Sequence, residues 1–213
     1  MRINQIMLVL SLSIFSACSN HTAHIPILGT RTAITREIKG KKVTDTLYHT
    51  IPPFNMLGQD SVKISNATLK GKIYVADFFF TSCPSICPVM QKNMLKLYKQ
   101  YKDERDFAFL SYSIDPLHDT PSKLKKYSTQ LGADSKKWYF VTGNKDSTYA
   151  LAEKGYYATA KADSTAPGGF VHSGGLILVD KERRIRGIYD GTQEDEVDKL
   201  SQDMKLLQAE EAQ

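Results

Sequence analysis

The sequence predicts an α/β fold with a central mixed sheet and flanking helices. Ile73 to Phe80 is an almost unbroken run of β-branched and aromatic residues, as expected of a strand buried on both faces. Phe107 to Ile114 and Trp138 to Val141 repeat that pattern, with amphipathic segments between them. Two late apolar runs, Leu176 to Val179 and Ile185 to Tyr189, flank the turn-forming Asp180-Lys181-Glu182-Arg183. Strand-helix alternation argues for parallel strands, and the late hairpin adds antiparallel ones. At 213 residues, 41% of them hydrophobic, the chain supports one core and a tail but would be cramped as two domains.

Taken in order, residues 1–17 read as a targeting segment rather than fold. Arg2 supplies a charged start, the apolar core MLVLSLSIF is too short to span a bilayer, and Ser16-Ala17-Cys18 follows. This resembles a bacterial lipoprotein signal, cut before Cys18 and lipidated on its sulfur. An ordinary secretory signal is the alternative. Residues 18–46 are polar and read as a lipid-anchored tether, with a loose hairpin from Ile34 to Val43 around Lys39-Gly40. The apolar patch Ile25-Pro26-Ile27-Leu28 is expected to dock on the domain, which spans residues 47–213. Within it, Pro52 to Ile64 forms a small hairpin, and Ser65 to Leu69 a turn. Val89 to Lys102 carries Met90, Met94, Leu97 and Tyr98 at helical spacing. Thr120 caps a second helix, with Pro121 at its first position and Gly132 at its end. Asp146 to Lys154 is a short helix closed by Gly155, and Glu194 to Leu207 a last helix turning Val197, Leu200, Met204 and Leu207 inward. That order is a thioredoxin-like fold with an N-terminal β-hairpin and an extra helix.

The net charge is +5, and the Lys/Arg doublets are scattered without interleaved aromatics. A solvated surface explains this better than a nucleic-acid footprint, so no nucleic-acid partner is expected. Attraction to an acidic partner or an anionic membrane stays open.

The chemistry-bearing stretch is FFFTSCPSICPVM, residues 78–90. Cys83 and Cys87 stand three residues apart, each followed by proline, directly after the first core strand. Export places them in an oxidising compartment, and lipidation of Cys18 leaves them as one pair. Proline is tolerated only in a helix's first turn, so both sulfurs lie at or just before a helix start. Free amides and the helix dipole there favour thiolate. The pair can close a disulfide, act as a nucleophile with its resolving thiol, or hold a soft metal that wants a third donor such as imidazole. Of five histidines, His21 and His24 fall in the tether, His49 before the domain, and His118 on a loop. His172 lies between Gly168-Gly169 and Gly174-Gly175, on a loop before a late strand that this fold returns to the cysteine loop. It is the candidate ligand. Asp115, in an Asp-Pro turn, is a candidate to tune the site's charge from behind its ligands.

These residues carry a resemblance to the Sco/SenC family of copper-binding thioredoxin-like proteins. FFTSCPSICP at 79–88 matches its cysteine segment, Ser113 to Pro116 with Asp119-Thr120-Pro121 its DPxxDTP stretch, Trp138 to Gly143 its tryptophan segment, and His172-Ser173 its histidine segment. The resemblance implies a copper site, for Cu(I) or Cu(II), made by Cys83, Cys87 and His172. It implies delivery of copper to the CuA-bearing subunit of cytochrome c oxidase, or reduction of that subunit's cysteines. An upstream copper donor or thiol reductant would be a further partner, with the domain held outside the cytoplasmic membrane by the lipid. Val171 stands where many relatives carry aspartate, which leaves the site less negative. An exported thiol-disulfide reductase or peroxidase using Cys83 and Cys87 remains the alternative.

Overall fold

The computed structural model describes residues 24–212. The signal segment, Cys18 and His21 lie outside them. Lys39 and Gly40, both at positive φ, turn the chain between β1 (Arg31–Ile38) and β2 (Lys41–Tyr48). This antiparallel ribbon starts earlier and ends later than the Ile34 to Val43 hairpin expected from sequence. Its strands pair over their full length, yet nearly every residue stays exposed, so composition gave little sign of its extent.

The domain proper opens with the hairpin β3 (Asn55–Gly58) and β4 (Lys63–Ser65). Then follow β5 (Ile73–Phe79), α1 (Cys87–Tyr101), β6 (Phe107–Ser113), α2 (Pro121–Leu131) and β7 (Trp138–Thr142). The helix α3 (Lys145–Ala150) runs on into a π-helical turn at Leu151–Gly155. Two short strands, β8 (Ala160–Ala162) and β9 (Phe170–His172), precede β10 (Gly175–Val179), β11 (Ile185–Asp190) and α4 (Glu194–Glu210). Seven strands form one sheet in the order β11-β10-β5-β6-β7-β3-β4. Only the β5–β6 and β6–β7 pairs are parallel. The mixed central sheet is therefore present as expected, while β8 and β9, a separate antiparallel pair, are an addition to it.

Every residue of β5 and β6 is buried, because both sheet faces are covered. On one face Asp77 meets Gln91 of α1 and Phe79 packs on Tyr127 of α2. On the other, the hydroxyls of Tyr74 and Tyr112 both bond the Tyr156 hydroxyl, at 3.1 and 3.0 Å, so three buried phenols satisfy one another. Thr120 caps α2 by accepting from the Lys123 amide, and Gly132 closes it in the left-handed region. The patch at Ile25 to Leu28 docks. Ile25 is buried, its carbonyl accepts from the buried Arg186, and Leu28 N–H donates to the Ile185 carbonyl at 2.8 Å. Arg186 also holds Glu210 at 2.7 Å, so the segment is clamped against the end of α4.

Asp77 is the charged residue inside the central strand. It accepts from Ser111 Oγ at 2.5 Å and Gln91 Nε2 at 2.6 Å, and the Trp138 indole donates in turn to Ser111. Burial pushes its carboxyl up to about 7, against the pull of those two hydrogen bonds. Between the ordinary value of 3.8 and about 7, the folded state keeps a proton that the unfolded chain has released. This group's contribution to stability therefore falls as pH rises through that window. Asp77→Asn removes the dependence. Its stability relative to the parent, from urea midpoints, is expected to rise by up to about 1.4 kcal/mol per pH unit between pH 4 and 7. A difference that stays constant with pH would refute this account.

Candidate metal centre

The cysteine loop is set by the two prolines and by one buried carboxylate. Cys87 is the first residue of α1, with Ile86 as its N-cap and Pro88 in the first turn. Pro88 lacks an amide hydrogen where a helix has no use for one. Ahead of the helix, Cys83 N–H donates to the Phe80 carbonyl at 3.2 Å, which curls the loop back over the end of β5. Asp119 then fixes the loop to the neighbouring strand. Its carboxylate accepts from the Thr81 amide at 3.0 Å and from the hydroxyls of Thr81 and Ser113, with Lys123 at 3.4 Å.

His172 arrives on β9, paired through the Ala160↔His172 register. The flexible glycine loop expected from sequence is thus a short strand pair. A three-residue strand between the glycine pairs is too short to show a period of two, so the pattern left no trace. Gly168, at φ +75°, seats this pair on the cysteine loop. A Cβ there would lie 2.9 Å from the Phe80 ring and 3.0 Å from Pro84 Cδ. Phe80 packs against Phe170 at 4.9 Å and, edge to face, against the His172 ring at 5.9 Å.

The result is a cluster of three soft or borderline donors. His172 Nε2 lies 3.1 Å from Cys87 Sγ and 3.9 Å from Cys83 Sγ, and all three donor atoms fall within 4.8 Å of one another. Both cysteines are free thiols. His172 Nδ1 donates to the Ser173 carbonyl at 3.2 Å, because a carbonyl can only accept. The Nε2 lone pair therefore points at the sulfurs. The two thiols are not equivalent. Burial pushes Cys83 up, but hydrogen bonds from the Cys87 thiol, the Ser85 and Cys87 amides and the Ser85 hydroxyl outweigh it and hold the thiol below the ordinary value. Burial pushes Cys87 far up, and the neighbouring Cys83 and Asp77 charges add to that. Burial also lowers His172, against its hydrogen bond to the Ser173 carbonyl, so the ring stays neutral and able to ligate. The arrangement offers at Cys83 the more readily ionised thiol, at Cys87 a protonated reserve, and an imidazole lone pair beside both.

Other sequence candidates lie elsewhere. Asp115 is buried, but its carboxylate takes the His118 Nδ1 at 2.8 Å and touches neither sulfur. The carboxylates behind the site are Asp119, on the loop, and Asp77, beneath α1. Asp119 stood in the DPxxDTP stretch, but nothing in its type or spacing separated a latch from a turn residue. His49 bonds the Gly155 carbonyl and packs on Tyr157, while His24 pairs with Glu210.

Fold and site together define a thioredoxin-like domain bearing a Cys-Cys-His cluster at a helix start. The SCO1/SenC family model matches residues 42–207, and the chain belongs to that family. It is 32% identical over 168 residues to the SCO1 protein homolog of Bacillus subtilis, covering 78% of this chain and 86% of the relative. A solved structure of BsSco, described as a member of the Sco family of cytochrome c oxidase assembly proteins with a disulfide switch, is 30% identical. It superposes with a TM-score of 0.66 over 75% of this chain and 93% of its own. Arabidopsis thaliana ScoI, solved with copper bound, shares the fold at 20% identity and a TM-score of 0.61, over 72% of this chain and 97% of its own.

Gly168 gives a direct test of how the cluster is assembled. Gly168→Ala places a Cβ against Phe80 and forces an L side chain into the left-handed region, at a cost of about 1–2 kcal/mol from the backbone alone. The variant is expected to lose at least that much stability in denaturant melts, and its His172 ring resonances should shift. A Gly168→Ala protein with unchanged stability and ring shifts would mean that the strand pair is not seated this way.

Proposed function

We propose that this protein is a copper carrier. It takes up copper through Cys83, Cys87 and His172 and passes it to the CuA-bearing subunit of cytochrome c oxidase, outside the cytoplasmic membrane. The observation that carries the reading is the convergence of two thiols and one imidazole within 4.8 Å. Two sulfurs alone leave a soft ion short of donors, and imidazole suits copper in both oxidation states. The family membership and the oxidase-assembly description of BsSco support the destination, and a relative in Stutzerimonas stutzeri named "Putative copper-binding protein", 30% identical over 140 residues, supports the choice of metal.

The residues prepare the site unequally. Cys83 ionises the more readily of the two as the ion arrives, helped by amides at the helix start. Cys87 is protonated in the free protein and gives up its proton as the metal arrives, so uptake releases acid. His172 exchanges its contact with the Cys87 thiol for one with the ion, without turning its ring, because Nδ1 stays on the Ser173 carbonyl. Anaerobic titration of the reduced chain is expected to saturate at one copper per chain, with a sulfur-to-copper absorption band for Cu(II). His172→Ala should weaken Cu(II) about 100-fold or more and Cu(I) less, since the thiolates remain. An unchanged Cu(II) affinity and spectrum in that variant would remove His172 from the site.

The unequal thiols also favour a second reading, that of a thiol-disulfide reductase. Cys83 attacks a disulfide and Cys87 resolves the mixed disulfide. Turnover with a protein disulfide that ignores both copper and the loss of His172 would favour this role over delivery.

The N-terminal segment supports export and a lipid on Cys18 as the anchor. Cys18→Ser is expected to move the protein from the membrane fraction to the soluble fraction of lysed cells. Retention in the membrane fraction would set the lipid anchor aside.

A further inference from the structure

Beside the sulfurs lies a trough of about 360 Å³ that copper binding does not use. Its walls are strongly apolar, with Phe80 and Pro88 near the cysteines and Leu95, Tyr127 and Leu131 farther along. One wall is α1 and the other is α2. Lys92 lines the α1 wall, one turn beyond Pro88. On α2, Lys123, Tyr127 and Leu131 recur at intervals of four, so they share one face. Neither helix contains a single Asp or Glu, whereas together they carry Lys92, Lys96, Lys99, Lys123, Lys125 and Lys126. Glu194 takes Lys96, and Asp60 takes Lys125. Among the described residues, Lys92, Lys99 and Lys126 have no ion pair. The carboxylates nearest the trough, Asp77 and Asp119, are fully buried beneath it.

We infer that this trough is the docking groove for the partner, and that the partner presents an acidic segment carrying one large apolar side chain beside its reactive cysteine. The inference rests on Cys83 and Cys87 being the groups that meet the partner. Apolar walls of this size bury an aromatic or leucine-sized side chain. Lys92 on the wall, with no carboxylate on either helix to neutralise it, selects acidic neighbours, speeds encounter and rejects basic segments. Because Cys83 lines the same trough, a docked segment brings its own sulfur to the Cys83 sulfur.

Three nine-residue peptides test this, each with its cysteine activated as a mixed disulfide with thionitrobenzoate. One flanks the cysteine with Phe and Asp, one replaces Phe by Gly, and one replaces each Asp by Lys. In the reaction the Cys83 thiolate attacks the peptide sulfur, a Cys83–peptide disulfide forms, and thionitrobenzoate leaves with the bonding electron pair and is read by its absorbance. The full-length chain with Cys18→Ser, reduced and in non-ionic detergent, is the reactant. The Asp/Phe peptide is expected to react about tenfold faster than the Lys/Phe peptide at low salt, with the gap closing as salt rises. The Asp/Gly peptide should be several-fold slower than Asp/Phe. Lys92→Glu with Lys126→Glu should reverse the charge preference, and Lys92→Gln alone should reduce it.

Equal rates for all three peptides, or a preference that survives charge reversal, would overturn the inference. So would self-association that the same reversals abolish, since the acidic first turn of α4 in a second copy would then be the occupant. Copper titration of the same proteins separates this from the copper reading. Peptide selectivity without copper binding would leave the groove intact and remove the copper role. Copper binding with no selectivity would do the opposite.

Discussion

Eighty-five residues separate Cys87 from His172, and the seating of the β8–β9 pair on the cysteine loop closes that gap. Phe80 is the hinge of the arrangement. It leaves β5 at the point where the chain turns toward Cys83, and its ring faces both Phe170 and His172. Gly168 allows the approach because anything larger would overlap that ring. The loop itself cannot drift, since Asp119 binds Thr81 and Ser113 together across two parallel strands. A three-donor cluster assembled from distant segments thus depends on an aromatic contact on one side and a carboxylate latch on the other. Both act through residues that are not themselves donors.

Burial makes the thiols unequal, and the inequality is useful. A pair of equally exposed thiolates would repel and would be oxidised readily. Cys83 instead collects the amides at the helix start, while Cys87 lies deeper and above the carboxyl of Asp77. The fold eases release of the first proton and resists release of the second. The neutral imidazole fits the same logic, because a buried cation there would compete with an incoming metal ion.

Much of this was readable in the sequence. Ile73 to Phe80 announced the central strand through sheer apolarity, and Thr120-Pro121 with Gly132 bounded α2 closely, because caps and prolines act locally. The proline pair bracketed α1's start between Pro84 and Pro88, and the helix begins at Cys87. His172 could be nominated because topology returns that segment to the cysteines, but its strand could not, as three residues carry no period. The role of Asp119 was hidden for a different reason. A carboxylate after a strand reads as turn chemistry until the partner that it holds, Thr81, is known to lie beside it. Asp115 shows the converse, a motif residue whose carboxylate serves a neighbouring histidine instead of the site.

Charge ties the centre to the surface around it. Two thiolates with a monovalent ion leave one net negative charge in a half-buried place, and water cannot screen it fully. The helix start offsets part of that charge, and Lys92 of α1 lines the adjacent trough. Val171, beside the ligand histidine, adds no further negative charge. On the proposed reading, the same positive field that would steady a loaded centre would also attract an acidic partner to the trough that Cys83 lines. Retention of the cargo and choice of the partner would then follow from a single surface, set by two helices from which every carboxylate has been left out.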